Sequence, residues 1–420
     1  MPTPAISPSF AFINYYDPNQ LSKTLHLPVH AGVRAWMTLF GAWLAIAATF
    51  GYTFTFGVYQ DVYTGAHVAS AIGVRWIGAT QLSLLLATSL PAGMLHDSGH
   101  FRSVITTGSC FFTASLFMLS FVDLGDHYFK YFFAQGIVMG VGAGLVCIPS
   151  LAVQTDHWGT QSALAMGIAS SGMFVGGTFF PIMLTQLLHN GVSFAWSVRA
   201  SALVVLGMLL VANACMRQSY PRASFGDKRT SMRELATDTP YIFAVIGALC
   251  TNWGFYFVYF YLQLYVNQEG VDHAFAFYIP AILCGAAIPG AILSNLVAAK
   301  CGTLIVFTAS AISVSCCTAF LTGAILPSPT TAGTVVCAVL FGLPAGAWLC
   351  LLAPVCCTTS TSARECGVRL GFAFAVSAGA VLIATPINDA LVSQNWGFAI
   401  MLNFLMLMAG AMLCLTAMDY

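Results

Sequence analysis

The chain has 420 residues, of which 58% are hydrophobic and 7% charged, with a formal net charge of zero. A soluble domain carries about 25% charged residues, so this composition excludes a water-solvated globule, and the mean hydropathy of +0.83 points to lipid as the solvent. Zero net charge is silent about nucleic acid, and no nucleic-acid partner is expected.

The chain opens with a polar stretch, Met1–Ala31, containing Pro2, Pro4, Pro8, Pro18 and Pro28. It has no basic-then-apolar leader and reads as a cytosolic tail. Twelve apolar runs follow: Val33–Val58, Ile72–Leu95, Val104–Val122, Tyr131–Val153, Ala163–Leu187, Val198–Met216, Tyr241–Val266, Phe275–Ala298, Thr303–Leu326, Ala332–Cys356, Gly371–Leu391 and Phe398–Met418. Crossing the hydrocarbon layer takes roughly 20 apolar residues as a helix, and a helix satisfies its own backbone groups in lipid. The expected fold is therefore an all-α membrane protein of twelve transmembrane helices.

Charge placement orients them. With the N-terminus inside, Lys23, Arg34, Arg102, Arg217, Arg222, Lys228, Arg229, Arg233, Lys300, Arg364 and Arg369 put 11 of the 14 basic residues on one side. Asp61, Asp123, Asp126, Glu269, Asp272 and Asp389 are read as belonging to the opposite loops. This positive-inside asymmetry predicts cytoplasmic termini, and the plasma membrane is the expected location. The basic, proline-bearing interval 217–240 divides residues 32–216 from residues 241–420, six helices from six. Two six-helix bundles that bind a substrate between them and rock around it are expected.

Glycines cluster within the helices. Gly136, Gly140 and Gly144 in the fourth run, and Gly172 and Gly176 in the fifth, form small-xxx-small faces that let backbones approach closely. Such faces serve static packing and also permit sliding. The 14 cysteines lie in or beside the runs without a CxxC spacing, so they read as packing residues rather than a disulfide framework. Cys350, Cys356, Cys357 and Cys366 have no accompanying histidine, and no metal or other cofactor is expected.

Several segments resemble a known family. The second run ends Gly93-Met94-Leu95-His96-Asp97-Ser98-Gly99-His100-Phe101-Arg102, similar to the short inner-loop signature of the major facilitator superfamily. Asp97 at a helix end and Arg102 in the loop can form an ionic latch that one conformation keeps and another breaks; the alternative is a solvated, inert loop. Phe50-Gly51-Tyr52-Thr53-Phe54-Thr55-Phe56-Gly57-Val58-Tyr59-Gln60 and Trp76-Ile77-Gly78-Ala79-Thr80-Gln81 resemble the fungal branch of the monocarboxylate porter family. Arg369-Leu370-Gly371-Phe372-Ala373-Phe374 and Thr385-Pro386-Ile387 resemble its eleventh helix. That resemblance implies a major facilitator fold moving small organic acids or related metabolites, with some members exporting secondary metabolites. Alignment of the surrounding pattern puts the family's eighth-helix arginine at Ala291 and the acidic partner of animal members at Ala287. The usual carboxylate anchor and proton relay are missing.

An ionisable residue inside a membrane helix costs ~2.5–3.5 kcal/mol and is a functional hypothesis by default. Arg75 and Arg199 lie near outer helix ends and either snorkel to the interface or, for Arg75, face the cavity and supply the charge that Ala291 lacks. No acid is expected mid-helix, and every histidine falls in the tail, a loop or a helix end. Among the uncharged polar residues Gln81, Gln135, Asn252, Gln263 and Asn403, the seventh run is distinctive. There Asn252, Tyr256, Tyr259 and Gln263 recur at i, i+4, i+7 and i+11 and share one helical face. Such a face meets either the cavity or another helix. Together with Arg75 these residues form the expected substrate site, suited to a neutral or weakly charged amphiphile.

The sequence has no phosphate loop, no HExxH and no paired carboxylates within a helix, so no enzyme activity is expected. The reading is a monomeric secondary transporter of a small organic metabolite by alternating access, with efflux preferred. Proton-coupled monocarboxylate uptake is the alternative, and a non-transporting membrane sensor is the alternative of another class.

Overall fold

The computed structural model describes residues 32–125, 127–218, 235, 237–268, 276, 278–324, 330–358 and 365–419. Among them every regular element is helical. The tail 1–31, most of the 217–240 loop with four of its five basic residues, Asp126, Glu269, Asp272 and Arg364 lie outside the described residues.

Eleven helical stretches are long and apolar enough to cross a bilayer. One of them, Tyr128–His189, has 62 residues and would extend about 93 Å if straight, roughly three times the hydrocarbon thickness. It turns instead at Gly159, whose φ of +48° lies in the left-handed region, and so contains two crossings. The described residues therefore contain twelve crossings.

In chain order α1 spans Val33–Gly65 and α2 Ala71–Asp97. Next come α3, Phe101–Ser120, and α4, composed of Tyr128–Tyr131, Phe132–Met139 and Gly140–Ala152. A short helix, Gln154–Trp158, leads to α5, Ser162–His189, and α6, Phe194–Cys215. The second half has α7 Thr239–Gln268, α8 Ile279–Cys301, α9 Thr303–Ala324, α10 Thr331–Thr358, α11 Cys366–Gln394 and α12 Trp396–Asp419. Helices α1–α6 pack into one bundle and α7–α12 into the other, and the seams between them run along α2 against α11 and α5 against α8. Because the helix count is even, α1 begins and α12 ends at the same face of the molecule, called here the terminal end.

Physical reasons for this packing are visible at single residues. Leu203, Leu210, Leu293, Phe398 and Met412 are exposed, a pattern that only a hydrocarbon surrounding tolerates in such density. The glycine faces of α4 and α5 pack within the first bundle. A Cβ at Gly144 would strike the Leu85 carbonyl of α2, and one at Gly176 would strike the Ala47 carbonyl of α1. Helices α4 and α8 run straight through Pro149 and Pro289, as membrane helices can when neighbours satisfy the freed carbonyls. Helix α1 contains a π-helical stretch, Ala47–Gly51, and α4 another, Phe132–Met139.

Three sequence readings change. Asp61 and Asp389 are not loop residues: Asp61 lies in the last part of α1 and Asp389 within α11, where it is buried. A polar group near a helix end looks like a loop when runs are cut at the first charged residue, although the helix continues. The expectation of no buried acid within a helix falls with Asp389. Third, Cys357 and Cys366 are joined in a disulfide that ties the end of α10 to the start of α11. The other described cysteines are free thiols.

Candidate substrate site and the closures around it

The face of α7 that the spacing argument singles out is buried along its length, with Asn252, Tyr256, Tyr259 and Gln263 all below a tenth exposed. The four residues do different things. Asn252 donates from Nδ2 to Ser377 Oγ of α11 at 3.0 Å, a bond within the second bundle. Tyr256 and Tyr259 turn toward the first bundle. The Tyr259 ring centroid lies 5.0 Å from that of Phe54 in α1, and Tyr256 comes near Cys147 of α4. Gln263 crosses the seam, donating from Nε2 to the Asp61 carboxylate of α1 at 2.6 Å.

Around Tyr259 the middle of the molecule is aromatic and sulfur-lined. Phe54 stacks on Phe174 of α5 at 6.2 Å, and Phe255 stacks on Tyr259 at 4.9 Å. Gly177 leaves room there: a Cβ would fall 2.7 Å from Cys284 Sγ of α8 and 2.9 Å from Phe54. The Tyr256 hydroxyl has no hydrogen-bond partner, and the Tyr259 hydroxyl has the Cys284 thiol beside it and no oxygen or nitrogen partner. Helices α1, α4, α5, α7 and α8 therefore converge on two ring-borne hydroxyls.

Both ends of this region are closed. At the terminal end the Asp97 carboxylate accepts the Val368 backbone N–H of α11 at 2.8 Å. This places a negative charge at the first turn of a helix, where free amides and the helix dipole favour it. The fit is tight because Gly93 and Gly367 face each other, and a Cβ on Gly93 would overlap the Gly367 carbonyl. Arg102 donates to the Asn213 carbonyl of α6, so the two residues of the signature reach to different helices, one across the seam and one within the first bundle.

At the opposite end Arg75 of α2 pairs with Asp389 of α11 at 2.6 Å. Tyr261 of α7 donates to the same carboxylate at 2.7 Å. Midway along this seam Ser83 donates to the Ala378 carbonyl at 3.1 Å. The other seam is bridged at the opposite end by Gln186 of α5, which donates to the Tyr278 hydroxyl at 2.9 Å. Beside Asp61 a shallow cavity of about 200 Å³ is lined by Val58, Asp61, Val62, Thr185, Leu188 and His189.

The remaining polar residues noted in the sequence serve helix packing. Tyr63 donates to Gln135 at 2.6 Å, Asn403 donates to Asn388 at 2.7 Å, and Gln81 lies against Met139. Arg199 sits over the rings of Phe121 and Trp196 at 5.2 and 5.0 Å, at the outside of α3 and α6 rather than in the site. Sequence reasoning missed Asp61 and Asp389 as interbundle partners, and Tyr261 as the residue of the second bundle that bonds Asp389. The signal available for Asp389 was its place beside Asn388 on a run that keeps its apolar character to Leu391.

Two six-helix bundles closed over an apolar, ring-lined centre, with polar ties between their ends, define a secondary transporter of small molecules. The family model for the Major Facilitator Superfamily matches residues 35–385, and the chain belongs to that superfamily. It is 32% identical to the aspyridones efflux protein apdF of Emericella nidulans over 369 residues, 87% of this chain and 74% of the relative. It is 30% identical to the MFS-type transporter dbaD of the same organism over 397 residues, 92% of this chain and 86% of the relative. The agnestins efflux protein AgnL12 of Paecilomyces divaricatus is 30% identical over 365 residues, covering 85% of this chain and 81% of that one.

Proposed function

We propose that the chain exports a small organic metabolite by alternating access, with its terminal end in the cytoplasm and its substrate held between the bundles. The observation that carries this reading is the pair of ring-borne hydroxyls of Tyr256 and Tyr259, buried at the meeting of both bundles and without oxygen or nitrogen partners. Two compared relatives bear efflux in their names, and the basic loops on the terminal side support the orientation. The site comprises Asn252, Tyr256, Tyr259 and Gln263. Arg75 joins it only in a state where its bond to Asp389 is broken. Asp97 belongs to the closing of the terminal end, and Arg102 joins it in the latch only in a state where its bond to Asn213 is broken. The segments quoted from the first, second and eleventh helices support placement in the fungal branch of the monocarboxylate porter family.

Deleting the gene in producing cells and comparing extracts of cells and medium by mass spectrometry tests export. The expected result is a metabolite that moves from medium to cells. Unchanged partition of every secreted compound, together with proton-driven lactate or pyruvate uptake by proteoliposomes, would replace this reading with monocarboxylate uptake. No flux in either assay would replace it with a sensor.

A further inference from the structure

We infer that the ligand of the central site is a neutral, planar aromatic molecule bearing a carbonyl oxygen, held between rings and fixed by the hydroxyls of Tyr256 and Tyr259. This rests on the transport reading for the site's use, but the ligand class follows from the side chains alone.

Buried hydroxyls almost always find a partner. Tyr256 and Tyr259 are each 4% exposed, and neither has an oxygen or nitrogen to bond. The thiol of Cys147 lies near Tyr256 and that of Cys284 beside Tyr259, and thiols are weak hydrogen-bonding groups. These hydroxyls are one helical turn apart on a single face, so their rings stand about 5–6 Å apart at Cβ. An oxygen or nitrogen that satisfies them comes from outside the protein, and a carbonyl oxygen, which accepts from both O–H groups with its two lone pairs, fits the pair.

The walls set the shape. Phe54, Phe174, Phe255 and Phe341 approach Tyr259 directly or through one another, with centroid separations of 4.9 to 6.2 Å. These rings are in mutual contact in this closed state, and a flat ligand would take the place of one such contact, offset or edge-on, when the bundles part. Gly177 and Cys284 leave the floor small on the α5 and α8 sides.

Negative charge on the ligand is disfavoured by the lack of a spare arginine. Among the described arginines within the helices, Arg75 pairs with Asp389, Arg369 with Asp238, Arg102 bonds the Asn213 carbonyl and Arg199 lies over Phe121 and Trp196, while Arg34 is exposed at the start of α1. A carboxylate placed among these rings would be a buried, unpaired anion, which is strongly disfavoured. The packed alanines of α8 agree, since Ala287 and Ala291 are fully buried and a Cβ on Gly346 of α10 would overlap the Ala287 carbonyl. A longer, charged side chain has no room at that contact.

Three probes separate the terms: fluorenone, fluorene, which has the same rings without the carbonyl, and a fluorenone carboxylate. Equilibrium dialysis against the full chain in lipid nanodiscs, corrected with empty nanodiscs, gives each affinity. The expected order is fluorenone tightest, by roughly 3- to 10-fold over fluorene for the added hydrogen bond, and the carboxylate weakest. Tyr256→Phe and Tyr259→Phe keep the rings and should each shrink the fluorenone preference. Tyr241→Phe, whose hydroxyl bonds the Arg369 carbonyl at 2.6 Å away from the centre, should leave it intact. Equal binding of fluorenone and fluorene, tightest binding of the carboxylate, or an undiminished preference in both central variants would overturn the inference. If the export assay fails while this order of affinities holds, the export reading falls and the ligand class stands.

Discussion

The two ends of the α2–α11 seam are closed by different chemistry. At the terminal end the contact is mostly backbone: Gly93 lies on Gly367, and one carboxylate caps the amide of Val368. At the opposite end the contact is made by long side chains, Arg75 and Tyr261 converging on Asp389. The first kind of closure is specified by shape and fails when bulk is added. The second is specified by charge and fails when one partner is neutralised. An alternating-access protein needs both closures to break, and these two break by independent means.

The largest effect is expected from Asp389→Asn. It removes one partner of a nearly buried ion pair and leaves the Arg75 cation uncompensated, which costs about 3–5 kcal/mol when such a pair is fully buried. Amide hydrogen exchange in α2 and α11 near residues 75 and 389 should rise far more than exchange near residues 97 and 368. The double charge swap Arg75→Asp with Asp389→Arg should recover much of the protection. Equal loosening at both ends in the single variant would show that the closures are not independent.

Bulk at the terminal end comes next. Gly93→Val forces a side chain onto the Gly367 carbonyl, and overpacking of this kind costs about 1–3 kcal/mol. Exchange should then rise at residues 366–372 while the Arg75 end stays protected. A variant that exchanges like wild type would show that the seam can spread without opening.

Tyr261→Phe is the milder test of the charged end. It deletes a hydroxyl bond to a carboxylate, worth about 1.5–3 kcal/mol, while keeping the ring stacked on Phe257. The expected change is a smaller version of the Asp389→Asn pattern at the same end, with unchanged exchange around Gly93.

Asp97→Asn should be smallest in stability. The side chain can still accept the Val368 amide and loses only the charge-dipole term, about 0.3–1 kcal/mol. Export should slow while expression and membrane targeting remain near wild type. Turnover equal to wild type would show that the carboxylate charge has no part in closing the terminal end.

Much of this architecture is legible in the chain because lipid imposes it locally. Run length gives the twelve helices, and glycine spacing gives the faces by which α4 meets α2 and α5 meets α1. Helical phase gives the shared face of Asn252, Tyr256, Tyr259 and Gln263. What one helix cannot announce is its partner on another. The Gln263–Asp61 bond joins residues 202 positions apart, and the Asp97–Val368 bond joins residues 271 apart. No local pattern links them. The treatment of Asp61 and Asp389 as loop residues shows the related difficulty: a charge near a run's end signals loop or helix equally until a partner is seen.

The π-helical stretch of α1 has a consequence for how this chain tolerates changes of length. A π turn holds one more residue than an α turn, so Ala47–Gly51 acts as a phase shifter between the two halves of the helix. Removing a single residue there would let the stretch close as an α turn with the flanking phases nearly kept, whereas removing one from the α-helical stretch Val33–Ile46 would turn everything after it by about 100°. Phe54 would swing from Tyr259, and Asp61 from Gln263, although neither had been altered. The π turn is thus where a one-residue deletion is absorbed locally, while the same deletion in the α-helical part of α1 would be read out at both the centre and the far end of the molecule at once.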